Sequence, residues 1–381
     1  MKKGWQTKTL GEMCEMYQPK TISGKEMVAD GAFPVFGANG VIGRYNQFNH
    51  EEPQLLITCR GATCGSVNIS EPRSWVTGNA MVVRPKSESL AMRYLEYLFR
   101  GGIDISKAIT GAAQPQITRT NLEPLEISYP ESLAEQQRIV VLLDEAFAGL
   151  ATAKANAERN LQNARAIFES HLQTVFSQKG EGWVETTLGD ATGGIFTGPF
   201  GSLLHKSDYV TDGIPLVNPA HITKVGIEPD LSKTVSEETA LRLKSYIMSS
   251  GDIVIGRRGE MGRCAVVTER EDGWLCGTGS FFIRPSSRCD TRYLVRYLRS
   301  ESCKLMLEEI AGGAVMPNLS NTDLGNFSFY LPPLDRQIEI VEQVDCLHAE
   351  ALSLTRIYER KLTALEELKK SLLHQAFNGE L

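Results

Sequence analysis

The sequence predicts an α+β chain: two mixed, mostly β domains separated by two long helices that pair antiparallel as a coiled coil. Three observations carry that expectation. The phrase "LAEQQRIVVLLDEAF" from Leu133 returns as "LDRQIEIVEQVDCLH" from Leu334. Leu133/Leu334, Gln136/Gln337, Ile139/Ile340, Val140/Val341 and Asp144/Asp345 therefore all stand 201 residues apart. Two long stretches, 134–178 and 335–377, are rich in Ala, Leu, Glu and Gln and contain neither Pro nor Gly except Gly149. The rest of the chain alternates short β-prone runs with Gly, Pro and Asn turns.

The repetition runs through the whole sequence, which makes it an internal tandem repeat with pseudo-twofold symmetry. "GWQTKTLGEM" from Gly4 matches "GWVETTLGDA" from Gly182, and "RGATCG" from Arg60 resembles "RGEMG" from Arg258. "WVTGNAMVVRP" from Trp75 parallels "WLCGTGSFFIRP" from Trp274, and "RYLEYLFR" from Arg93 parallels "RYLVRYLRS" from Arg292. Runs such as "QLLIT", "GDIVIG" and "SFFIRP" read as strands, and the "RYL" segments as one short helix in each copy. Four segments follow: a head at 1–133, a helix at 134–180, a second head at 181–333 and a second helix at 334–381. Trp75 and Trp274, recurring beside strands, read as core.

The two helices carry a seam. Spacings of three and four select Val140, Leu143, Phe147, Leu150, Lys154, Ala157, Leu161, Ala164, Phe168, His171 and Val175. The same register in the second copy gives Val341, Val344, His348, Ala351, Thr355, Tyr358, Leu362, Leu365, Lys369, Leu372 and Ala376. A mostly apolar seam sustained over four heptads points to helix–helix pairing, although Lys154, His171, His348, Thr355 and Lys369 interrupt it. The competing reading is a single amphipathic helix packed on its own head. With only "KGEG" between the first helix and the second head, pairing requires the second helix to run back toward the first. At 1.5 Å per residue each would span roughly 65 Å.

Bulk properties set limits. Hydrophobic content of 42% and charged content of 23% are those of an ordinary globular protein. No apolar run approaches the length of a membrane span, and the start of the chain lacks a signal-peptide core, so a cytoplasmic protein is expected. Eight cysteines without a CxxC pair suggest reduced thiols, not a zinc site or a disulfide framework. Net charge is −6, and only the part before residue 131 is net basic, with 14 Lys/Arg against 12 Asp/Glu. A nucleic-acid surface would therefore come from local arginines and not from a basic protein as a whole.

No catalytic constellation emerges. Adenine methylation needs an Asn/Asp-Pro-Pro-aromatic loop, and "NPAH" at Asn218 lacks the second proline and the aromatic. "CGTGS" at Cys276 lies between β-prone runs and not before a helix, so it is no cofactor fingerprint. "EPDLSK" at Glu228 lacks the separated carboxylates of a two-metal nuclease, and no Walker motif is present. The chain is expected to be non-catalytic, with neither catalytic nor metal-ligating residues and no cofactor of its own.

The arrangement resembles the specificity subunits of type I restriction–modification systems over essentially the whole chain. The phrases that carry the resemblance are "TGPFGSLLHKSDYVTDGIPLV" from Thr197, "LPPLDRQIEIV" from Leu331, and the helix ends "HLQTVFSQ" and "LLHQAFNGEL". The first copy has "YPESLAEQ" where the second has "LPPLDRQ", but the Leu-x-x-Gln core survives in both. The resemblance implies that each head is a target recognition domain reading one half of a bipartite sequence in double-stranded DNA. It implies helices that set the gap and dock two methyltransferase (modification) subunits, with restriction/translocase subunits joining the assembled complex. S-adenosylmethionine would then belong to the methyltransferase, and ATP and Mg to the restriction subunit. Because the heads differ outside their shared phrases, the target should be asymmetric.

On that reading the DNA-facing candidates lie on turns: Arg44, Arg60, Thr63, Gln114 and Gln116 in the first head. The second head offers Ser202, His205, Lys206, Arg257, Arg258 and Asn318, with Asn318 the positional counterpart of Gln116. Arginine grips guanine O6 and N7, and glutamine or asparagine pairs with adenine. The same arginines could instead hold phosphate or a structural carboxylate, and the amides could tie down a turn. Lys206 suits phosphate better than a base. Two other functions stay open: a coiled-coil scaffold whose heads bind protein, and an enzyme with a fused modification activity, which the missing methylation loop disfavours.

Overall fold

The computed structural model describes residues 4–111, 113–177, 179–200, 203–312 and 318–381. It divides into two compact units, residues 1–159 with 358–381, and residues 160–357. Each unit holds one head, the start of one long helix and the end of the other.

The heads share the order of a four-stranded sheet and differ by one strand in a second sheet. In the first, four antiparallel strands lie in the order Cys14–Tyr17, Ala80–Pro85, Leu55–Thr58, Val67–Ile69. A second sheet sets Gly40–Tyr45 beside Phe33–Gly37, with Trp75–Val76 parallel on its other edge. In the second head, Thr192–Thr197, Ser280–Pro285, Ile253–Gly256 and Cys264–Val266 repeat the first order. Tyr209–Val210, Thr234–Val235, Ile214–Val217 and Leu275–Cys276 form its second sheet, again closed by a parallel pair. Each head also ties its first strand to its last: Trp5–Thr9 pairs with Glu126–Pro130, and Val184–Thr187 with Ser328–Leu331.

The long helices run Leu133–Ser177 and Leu334–Asn378, within a residue of the stretches that lack Pro and, Gly149 apart, Gly. The second stops where Gly379 turns to φ +71°, and the Glu380 N–H reaches the Gln375 carbonyl at 2.8 Å, closing the end as a Schellman turn. Within the first unit the segments are antiparallel. Arg138 reaches the carbonyl of Leu381, the Lys369 ammonium lies over the Phe147 ring at 5.5 Å, and Lys154 meets Glu366 at 2.7 Å. Within the second unit, Phe168 packs on His348 with ring centroids 4.8 Å apart.

Many of the expected seam positions are buried or half-buried, but Lys154, His348 and Lys369 are exposed, and Ile139, Phe176, Ile340, Leu373 and Phe377 are buried outside that register. Val140, Ala157, Ala164, Val341, Ala351 and Ala376 are buried, and Phe147, Leu150, Leu161, Phe168, Tyr358, Leu362, Leu365 and Leu372 are half-buried. Several seam positions pack with a head: Val140, Phe147, Leu372 and Ala376 with the first core, and Phe168, Val175 and Val341 with the second. Leu143 joins the core of the first head and Val344 that of the second, because the opening turns of each helix are seated on a head.

The recurring Gln136 and Gln337 explain that seating. Gln136 is fully buried: its amide oxygen accepts from the Ala91 N–H at 2.8 Å, and its nitrogen donates to the carbonyls of Ser89 (2.9 Å) and Pro130 (2.8 Å). Gln337 repeats the wiring with the Asp290 N–H and the carbonyls of Arg288 and Pro332. Asp144 pairs with Arg93 and accepts from the Tyr97 hydroxyl, while Asp345 pairs with Arg296, locking the next turn to the same short helix. The repeated sequence is thus a repeated joint between helix and head.

Candidate nucleic-acid interface

In the first unit, the strand Leu55–Thr58 runs into a turn carrying Arg60 and Thr63, with Gly61 and Gly65 at positive φ. That turn is stitched to the segment holding Gln116. The Gly61 N–H donates to Pro115 at 3.1 Å, the Ile117 N–H to Cys59 at 2.8 Å, and Arg60 and Gln116 face each other as an isolated bridge. Asn39, at the tip of the neighbouring hairpin, accepts from the hydroxyls of Thr58 (3.1 Å) and Thr63 (2.9 Å). Arg60, Thr63, Gln114 and Gln116 are all exposed on this joint. Arg44 is exposed but already occupied: its Nε donates to Gly31 at 2.6 Å and its Nη2 to Ala32 at 2.9 Å. It fastens the loop before its own hairpin, a structural use that the sequence did not reveal.

The second unit builds the same joint. Arg258 and Asn318 form the equivalent bridge, the Leu319 N–H donates to Arg257 at 2.9 Å, and Arg258 Nε reaches Asn318 Oδ1 at 3.2 Å. His205 and Lys206 are exposed on the adjoining loop. The His205 N–H donates to the Asp208 carboxylate at 2.7 Å and, with Arg242 at 3.0 Å, holds that carboxyl below its ordinary range. Ser202 lies outside the described residues.

Arg257 departs from expectation. The sequence puts it on a DNA-facing turn, yet it is only 9% exposed. The strand Ile253–Gly256 continues in register through it, since the Arg257 N–H donates to Gly279 at 3.0 Å. Alternation then turns its side chain to the face shared by Ile253 and Ile255, toward the core. The guanidinium lies 5.3 Å from the Phe200 ring and 5.2 Å from the Phe281 ring. Burial, and then the charge of Arg258, pull its pKa below the ordinary arginine value.

Trp75 and Trp274 are half-buried, Trp274 packing at the edge of the core cluster around Val254 and Phe282. The Trp75 indole donates to Lys20 at 3.2 Å and meets Tyr45 edge-on, and Trp274 lies under Arg270 at 5.7 Å. Sequence reasoning passed over Asn39 and Phe200. An Asn-Gly pair between β-prone runs, the usual hairpin signal, marked the first. An aromatic inside a Gly-Pro turn, 49% exposed, marked the second. Among the described residues no three His, Cys, Asp or Glu side chains converge as metal ligands, and no helix is long and apolar enough to cross a membrane.

The model of the type I restriction modification DNA specificity domain matches residues 2–159 and 201–364. The chain is similar to the type I restriction enzyme EcoDI specificity subunit of Escherichia coli, 23% identical over 99% of this chain and 88% of that one. It is likewise similar to the StySPI specificity subunit of Salmonella potsdam, 25% identical over 91% of this chain and 73% of the relative. In fold it matches the crystal structure of the HsdS subunit from Thermoanaerobacter tengcongensis, with a TM-score of 0.67 and 18% identity across 100% and 98% of the two chains. A chain solved in a study of complex assembly and conformational transition of the type I R-M system matches at TM-score 0.74 and 18% identity, across 100% and 99%.

Proposed function

Because the chain belongs to the type I restriction modification DNA specificity family, we propose that its two heads each read one half of a bipartite, asymmetric sequence in double-stranded DNA. The chain is the non-catalytic DNA specificity subunit of a type I restriction–modification complex. The observation that carries the half-site reading is the joint built twice, Arg60 beside Gln116 and Arg258 beside Asn318. Each places an arginine, suited to guanine, next to an amide, suited to adenine. The joints hold different amides, and the "GPFGS" loop belongs to the second head alone, which supports two different half-sites.

The helices supply the second half of the reading. Leu133 and Leu334 are 44% and 40% exposed, and Ile167 and Leu368 are 57% and 47% exposed. Both pairs stand 201 residues apart, so apolar positions facing solvent recur with the repeat. Two copies of one partner need the same surface twice, and two modification subunits fit that requirement. S-adenosylmethionine would be bound by those subunits, and ATP with Mg by restriction subunits joining the complex. The scaffold alternative predicts heads indifferent to duplex DNA.

Methylation mapping of complexes carrying Arg60→Ala or Arg258→Ala tests the reading. Losing a bidentate base contact costs about 1–3 kcal/mol, roughly 5- to 150-fold in discrimination. Arg60→Ala should relax one position of one half-site and leave the other half intact, and Arg258→Ala the reverse. Blurring of both halves by either change, or no change of sequence preference in both variants, would remove the assignment.

A further inference from the structure

Cys59 and Arg257 occupy the same place in the two heads. Each directly follows an inner strand of the four-stranded sheet, and each donates its N–H to the next strand, Cys59 to Asn79 and Arg257 to Gly279. Each carbonyl accepts from the segment that completes the joint, from Ile117 in one head and Leu319 in the other. The backbone wiring is the same, but the filling differs. The first head places a fully buried thiol there, the second a guanidinium.

The described residues answer that guanidinium incompletely. Its Nε is buried without a hydrogen-bond partner, and it forms no ion pair among the described residues. The positions outside the described residues contain no Asp or Glu. Two aromatic faces offset part of the cost of burying the charge, but neither ring gives a hydrogen-bond acceptor to Nε, the guanidinium nitrogen that is buried and unpartnered. A buried cation without a counter-charge is costly to keep. One wall of the site, Phe200, is itself half-exposed, and the exposed Arg258 stands next in the chain.

We propose that Arg257 receives a backbone phosphate of the second half-site, reached by displacement of the Phe200 ring. The inference rests on the DNA reading above and deepens it: the second head anchors its half-site through a buried charge that the first head lacks. A phosphate is favoured over a base edge because base-edge acceptors are neutral and leave the buried charge uncompensated. Cys59, an uncharged thiol at the equivalent place, offers no such anchor.

The test is Arg257→Met in the complete complex, which keeps bulk between the two rings and removes the charge. Duplex affinity is measured across a salt series, beside thermal melting and methylation mapping. The log–log salt slope should become shallower by about one unit, so a fourfold rise in salt costs the variant about three- to fourfold less affinity than the wild type. The recognised sequence should stay the same, and the melting temperature should hold or rise, because an unpaired buried charge has been replaced by an apolar side chain. Arg257→Lys should recover part of the slope. An unchanged slope with a lowered melting temperature would reduce Arg257 to a structural cation, and relaxed preference at one base of the second half-site would make it a base reader. Either result overturns the phosphate assignment while leaving DNA recognition standing. A wild-type complex that binds no duplex overturns both.

Discussion

Phe377→Ala is expected to destabilise the first unit by about 3–5 kcal/mol and to leave the second unit unaffected. The residue sits three places before the penultimate position of the chain, yet its ring is buried against Tyr94 in the first head, centroids 5.5 Å apart. The head has made room for it. A Cβ on Gly102 would stand 2.6 Å from the Phe377 ring, and one on Gly101 2.6 Å from Leu373. Phe176 plays the same part in the second unit, packed 5.8 Å from both Tyr293 and Tyr297. Phe176→Ala should therefore open the second unit alone. Hydrogen exchange resolved by segment distinguishes the two: Phe377→Ala should expose Met92–Tyr97 and spare Thr291–Arg299, with Phe176→Ala giving the opposite. Equal loss in both units for either variant would show that the helix ends do not stabilise separate bodies.

The long helices were legible because little along their length contradicts them. The absence of Pro, and of Gly apart from Gly149, marked their length, and the spacing of three and four picked out buried positions such as Ala157, Ala164 and Ala351. What periodicity could not tell was the identity of the surface on the other side. Leu143 and Val344 keep the seam's register but meet a head, a distinction set by Gln136 and Gln337 and not by the pattern itself. Within the heads, the apolar runs marked the inner strands. Two-residue strands such as Trp75–Val76 carry too little pattern to read, so the half-burial of Trp75 was hidden. The candidate interface was partly legible. The turn glycines flagged Arg60 and Arg258, whereas Arg44 is bound by carbonyls of Gly31 and Ala32 that no sequence signal connects to it. Arg257 was misplaced for a sharper reason. A strand that continues one residue past its apolar run reverses which neighbour faces solvent, and only its pairing with Gly279 reveals the continuation.

Gln337→Leu should lower the stability of the second unit by about 3–6 kcal/mol. The side chain is fully buried and answers three backbone groups at 2.8–2.9 Å: the N–H of Asp290 and the carbonyls of Arg288 and Pro332. Leucine fills much of the volume and satisfies none of them, leaving one donor and two acceptors without this partner, the Pro332 carbonyl fully buried. Asp290 also caps the helix Thr291–Arg299 by accepting from the Tyr293 N–H, so the damage reaches the element on which Phe176 packs. Gln337→Glu separates hydrogen bonding from shape. Its carboxylate can still accept from Asp290 but faces two carbonyls without a donor, so burial should raise its folded-state pKa above the ordinary value of about 4.3. A raised carboxyl binds its proton more tightly in the folded than in the unfolded chain, so stability falls as pH climbs from the unfolded pKa toward the folded one. The Glu variant should thus approach wild-type stability near pH 4.3 and lose progressively more by pH 8, while the Leu variant's deficit relative to wild type stays constant. Urea unfolding of both variants at the two pH values reads this directly, and Gln136 should give the same pair of results in the first unit. A Leu variant within about 1 kcal/mol of wild type would mean that backbone groups around the joint find other partners, and that the repeated glutamine is not what seats each helix on its head.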